Sequence, residues 1–142
     1  MTAEDDRVKA ARRLFAAIEQ GDAASLRGIY AENAVQVEHP NALKKKGDRR
    51  AVDKMIADLA RGKAILSEEH YEVLEAIAVG DSVALQVKWT GVLAVPVGAL
   101  KAGDSMICES GIFLRFQGDR VVEQHNYDCF EDFTSARPHV SP

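Results

Sequence analysis

Two halves of unlike periodicity predict an α+β fold in which three N-terminal helices pack on a mostly antiparallel sheet. Up to about Gly62 the apolar residues recur at the three-four spacing of one helical face. From Ser67 onward they alternate with polar residues, as on a half-buried strand. Gly80-Asp81 and Gly118-Asp119 interrupt the alternating half where two tight hairpins would turn.

The first helix rests on Val8, Ala11, Leu14, Phe15 and Ile18, and Gly21 supplies a left-handed stop. Asp22 is placed to cap a second helix whose stripe is Leu26, Ile29 and Tyr30, with the chain leaving at Glu32-Asn33. AVQVEHP then alternates like a short strand and is halted by Pro40, which has no backbone donor. Gly47-Asp48 opens a third helix along Val52, Met55, Ile56 and Leu59, with Gly62 beyond its end. HYEVLEAIAVG and SVALQVKWTGVLA form one hairpin, MICESGIFLRF and RVVEQHNYDCF the other. VPVGALKAGDS between them has the Pro and Gly content of a loop placed to close over something.

At 142 residues the chain fits one domain, 1–142, with a frayed tail from about residue 135. An apolar share of 46% and a charged share of 28% are those of a soluble globular protein, and a net charge of -4 argues against a nucleic-acid partner. The one basic cluster, Lys44-Lys45-Lys46 with Arg49 and Arg50, is flanked by acids and reads as a solvated loop. The N-terminus lacks the apolar core of a signal peptide and no segment has the apolar length of a membrane span, so a cytoplasmic protein without a membrane partner is expected. Cys108 and Cys129 are read as reduced, buried small residues. His70, His125 and His139 have no spacing that gathers a metal, and no nucleotide-binding or serine-hydrolase motif is present; neither metal nor cofactor is expected.

The order of elements, with the strings RLFAAIEQGDAASLRGIYAENA, VEHPN and FLRFQGDRVVEQHNYDCF, resembles the nuclear transport factor 2-like superfamily and, within it, the SnoaL-like polyketide cyclases and ketosteroid isomerases. The resemblance implies a cone-shaped α+β barrel whose strongly curved sheet wraps the helices and opens to a small apolar ligand. It also implies a homodimer through the outer sheet face. It does not choose a reaction, because one scaffold carries many. The isomerases' oxyanion donors would match Leu14 and Ile112, which cannot donate, so steroid isomerisation by that route is disfavoured. Their base would match the string Val37-Glu38-His39-Pro40, with His39 in its place.

In RVVEQHNYDCF polar residues occupy both faces of one strand. Matching the cyclases, which are similar in placing an acid-base aspartate on the last strand, puts Gln124, Asn126 and Asp128 in the cavity and Glu123, His125 and Tyr127 outside. His39 and Asp128 are then the candidate proton-handling pair, Gln124 and Asn126 orient a carbonyl or hydroxyl, and Trp89, Phe15, Ile112 and Leu114 form apolar walls that would raise the Asp128 pKa. The expected function is a cofactor-independent isomerase, cyclase, dehydratase or hydrolase acting on a small, mostly apolar molecule. The alternatives are a ligand-binding protein without catalysis and a dimerisation module.

Overall fold

Gly21 and Asp22 make the first corner of the molecule. In the computed structural model, which describes residues 2–135, helix α1 (Ala3–Gln20) ends where Gly21 turns left-handed at φ 67°, a conformation open to glycine without steric cost. The Asp22 side chain accepts from the Ser25 N–H and caps α2 (Ala23–Ile29). At the other end of α1, Thr2 and Asp5 exchange hydrogen bonds as a capping box.

Two element boundaries differ from the sequence expectation. Tyr30, expected on the stripe of α2, is extended and begins strand β1 (Tyr30–Glu38), because its backbone pairs with Val121 across the sheet. Gly47-Asp48 does not open the third helix. Gly47, at φ 68°, turns the chain into a short strand β2 (Asp48–Ala51) antiparallel to β1. Helix α3 (Val52–Ile65) follows without a side-chain cap and continues through Gly62, whose carbonyl accepts from the Leu66 N–H.

Strands β3 (Leu66–Val79), β4 (Ser82–Leu93), β5 (Ser105–Gln117) and β6 (Arg120–Phe130) form the two expected hairpins. The sheet order is β2-β1-β6-β5-β4-β3. Only β1 and β6 pair in parallel. The sheet is not closed, and β2 and β3 are its edges. Register shifts between Tyr30 and Val35, Val73 and Glu75, and Arg115 and Phe116 add bend and twist to it.

Val83, Leu85 and Val87 of β4 and Leu114 and Phe116 of β5 meet Leu14 and Phe15 of α1 in the main core. Each such fully buried side chain contributes about 1.5–3 kcal/mol. A second cluster, Leu93, Leu100, Met106 and Phe133, lies under the loop after β4. Cys108 is buried as expected, but Cys129 is exposed, because Asp128 and Phe130 on either side of it point inward. The expected frayed tail and His139 lie outside the described residues, apart from the tail's first position. Among the described residues no helix is long and apolar enough to cross a membrane.

Gly91 shares the inner face of β4 with Trp89. A Cβ at Gly91 would stand 2.5 Å from the indole and 2.8 Å from Leu66 Cδ2, so the glycine is what lets the ring lie along the strand. Gly91→Ala is expected to displace Trp89 and to destabilise the fold by about 1–3 kcal/mol, the range for overpacking, as measured by denaturant unfolding.

Candidate functional site

The pairing of β5 with β6 sets the inner row. Leu114 is opposite Gln124, Ile112 opposite Asn126 and Ser110 opposite Asp128, and directly opposed residues share a face. Gln124, Asn126 and Asp128 therefore face the helices and line an open cavity of about 390 Å³. Phe15, Trp89 and Ile112 line it too, whereas Leu114 is packed in the core. Glu123, His125 and Tyr127 face outward; His125 and Glu123 border a groove on the other side of the sheet with Phe113, Ile77 and Val79.

His39 is not brought to Asp128. Glu38, opposite Asn126, takes the inward position of that register and lines the cavity. Alternation then turns the next residue out, so the His39 ring stacks on Tyr127 at 4.1 Å and its Nε2 lies 2.9 Å from His125 Nδ1. His125 Nε2 is in turn 2.6 Å from Glu123 Oε1. The expected His39–Asp128 pair is replaced by a His39–His125–Glu123 chain on the outer face. His70 sits near Glu19 at 3.6 Å and is two-thirds exposed.

Asp128 instead accepts a 2.6 Å hydrogen bond from the Ser110 hydroxyl on Oδ1, and Ser110 Oγ is 3.4 Å from Cys108 Sγ. Burial raises the Asp128 pKa, and the Ser110 hydrogen bond opposes that shift without cancelling it. Burial also pushes the Cys108 thiol up to about 11, so this sulfur is a poor nucleophile near neutrality.

Beside Asp128 runs a chain of definite polarity. The Tyr30 hydroxyl donates to Gln124 Oε1, and Gln124 Nε2 donates to Asn126 Oδ1 at 2.9 Å. Gln124 is only 2% exposed and spends its amide on this chain. Asn126 is left with its NH₂ group free of any partner among the described residues.

The cavity wall also holds Arg50. Its guanidinium bonds Gln36, Glu38 at 3.1 Å and Asp58 at 3.0 Å. The side chain is 13% exposed, and Nε is a sealed donor without a partner among the described residues. The solvated-loop reading is therefore wrong for Arg50, which ties β1, β2 and α3 together. Farther along, Trp89 Nε1 donates to Glu69 Oε1 at 3.0 Å. The Tyr71 ring stacks on Phe15 at 5.1 Å.

Tyr30, Gln36, Glu38, Arg50, Tyr71 and Ser110 are cavity residues to which the sequence expectation gives no site role. One signal was available: Gln36 and Glu38, two apart on a strand, repeat the spacing of Gln124 and Asn126, and polar rows at that spacing imply a shared wet face. Among the described residues no three His, Cys, Asp or Glu side chains are gathered as a metal would require.

A SnoaL-like domain family matches the chain over residues 11–124. The chain belongs to the SnoaL-like family. Solved structures share its fold, among them proteins described as NTF2-like or of ketosteroid isomerase-like fold. IdmH of Streptomyces antibioticus, a candidate polyketide cyclase, is similar with a TM-score of 0.74 at 20% identity, covering 86% of this chain and 91% of its own. AclR of Streptomyces galilaeus, a candidate hydroxylase, reaches 0.73 at 18%, covering 89% and 77%. A protein of ketosteroid isomerase-like fold from Catenulispora acidiphila, in complex with trimethylamine, reaches 0.67 at 19%, covering 83% of both chains. No curated protein matches the chain in sequence.

Because the folded pKa of Asp128 lies above its ordinary 3.8, the fold favours the protonated form, and ionisation removes stability as pH rises from the lower value through the higher. Asp128→Asn, neutral and of the same shape, is expected to melt a few degrees above wild type near pH 8. The difference should close near pH 3, where both side chains are uncharged; differential scanning calorimetry across pH checks this.

Proposed function

We propose that this SnoaL-like protein binds a small, mostly apolar organic molecule and moves a proton on it, with Asp128 as acid and base. The reading rests on one observation: a carboxyl of raised pKa, held by Ser110 through one oxygen, faces an apolar cavity open to a ligand. Asn126, with its free NH₂, orients a ligand oxygen. Trp89, Phe15 and Ile112 supply apolar contact, and Gln124 acts by fixing Asn126. No cofactor enters the scheme. The neighbours called cyclase and hydroxylase support small-molecule chemistry of this kind without naming the reaction.

The test uses 2-tetralone, a bicyclic ketone with exchangeable protons next to its carbonyl. Wild type is expected to accelerate deuterium uptake at those positions in D₂O, followed by NMR, and Asp128→Asn to lose about 10²-fold of that rate or more. The apolar side chains at Leu14 and Ile112 favour a second reading, capture of a ligand without chemistry. That reading takes over if wild type is no faster than Asp128→Asn.

The reading includes a homodimer through the outer sheet face, where Ile77, Val79, Phe113 and Tyr127 are 46–71% exposed around the His39–His125–Glu123 chain. Phe113→Lys is expected to shift the protein toward monomer in sedimentation at micromolar concentration, with the cavity unaffected.

A further inference from the structure

We propose that Tyr71 is the hydrogen-bond donor to the ligand's reacting oxygen, across the cavity from Asp128, and that the ligand is accordingly an uncharged carbonyl compound. The inference rests on the proposed role of Asp128 and adds the group that receives the electron pair. Tyr71 enters from β3, on the far edge of the sheet from β1. Its ring is fixed by the stack on Phe15, and its backbone N–H donates to Glu19 Oε1 at 3.0 Å. Its hydroxyl has no hydrogen-bond partner among the described residues, and it is not sealed in protein as Arg50 Nε is; it opens to the cavity. A buried donor left unmatched by the protein is matched by whatever fills the space.

The other candidates for this role are engaged, lack a proton or stand on the side of Asp128. The Tyr30 proton is spent on Gln124. Leu14 and Ile112 have none to give. Asn126 neighbours Asp128 on the same strand and approaches the ligand from Asp128's side. Burial, with the charges of Glu69 and Asp128 next in effect, holds the Tyr71 phenol well above its ordinary pKa, so it stays a donor at any physiological pH. The ligand's charge follows from the walls. Glu38, Asp58, Glu69 and Asp128 line the cavity; Arg50 is held by Glu38 and Asp58, Lys44 by Glu38 at 3.4 Å and Lys63 by Glu69 at 3.7 Å, so these cations are already engaged and none is paired with Asp128. An anionic ligand would find repulsion there and no free cation.

The step balances without a further reactant. The Asp128 carboxylate takes the proton from the carbon next to the carbonyl. The C–H electron pair becomes the enolate double bond, and the carbonyl π pair moves to oxygen. Tyr71 donates a hydrogen bond to that oxygen and keeps its own proton. Asp128, now neutral, returns its proton to carbon.

Tyr71→Phe retains the ring and its stack and removes only the hydroxyl. The probes are 2-tetralone and tetralin, the same bicycle without oxygen, with binding read by calorimetry and deuterium uptake by NMR. The expected result is about 3–10-fold weaker 2-tetralone binding, unchanged tetralin binding and uptake slower by about 10²-fold. Equal 2-tetralone binding in wild type and Tyr71→Phe overturns the proposal. So does weakened tetralin binding, which would mean a disturbed cavity, or a loss confined to Asn126→Ala, which would make the amide the donor. If wild type binds both probes but catalyses no uptake, the acid-base role of Asp128 fails by itself, and the binding comparison still decides whether Tyr71 is the donor. If wild type binds neither, both readings fall.

Discussion

Everything at the site follows from how β5 and β6 are paired. Ser110 opposite Asp128 and Leu114 opposite Gln124 put two amides and a carboxyl beneath the helices and leave two aromatic or imidazole rings outside. Because side chains alternate strictly along a strand, a slip of one residue would bring His125 into the cavity and expel Asp128. The pairing resists such a slip through what β6 itself buries: Val121 in the core and Phe130 on the cavity wall would turn toward solvent with it. The apolar core thus enforces the placement of the polar groups.

A second constraint holds the opposite edge of the sheet. β2 is four residues long, and Arg50 carries a charge from it into a nearly dry place, where it is met by Glu38 of the neighbouring strand and Asp58 of α3. An ion pair of this kind contributes little net stability compared with a well-packed apolar replacement, yet removing one partner is severe because the others remain buried and charged. Its structural effect is to fix β1, β2 and α3 relative to one another. β1 brings Tyr30 and α3 brings Leu59 to the cavity, so that wall's shape depends on the same cluster.

Local signals were legible and long-range ones were not. α1, its glycine stop, the Asp22 cap and both hairpins are written in neighbouring residues, and each was found where expected. Helical spacing puts Tyr30 in the wrong element because its conformation is decided by Val121, ninety-one positions away. Arg50 looked solvated because its partners come from other elements. His39 was matched to a family position by string rather than by face; the parallel pairing of Glu38 with Asn126, which no short window reveals, turns it outward. Tyr71 is hard to place from sequence because the shift between Val73 and Glu75 breaks the alternation of β3 just beyond it. The inward row of β6 was readable because alternation there is uninterrupted from Gln124 to Asp128.

Trp89 is the chain's single tryptophan. It lines the cavity with its N–H on the Glu69 carboxylate. An indole donating to a carboxylate beside an open space has an emission sensitive to what fills that space, since a ligand replaces water next to the ring. The molecule therefore carries its own optical probe at the site, with no second indole to dilute the signal, and an unknown ligand can be sought by titrating candidate compounds against the native fluorescence alone.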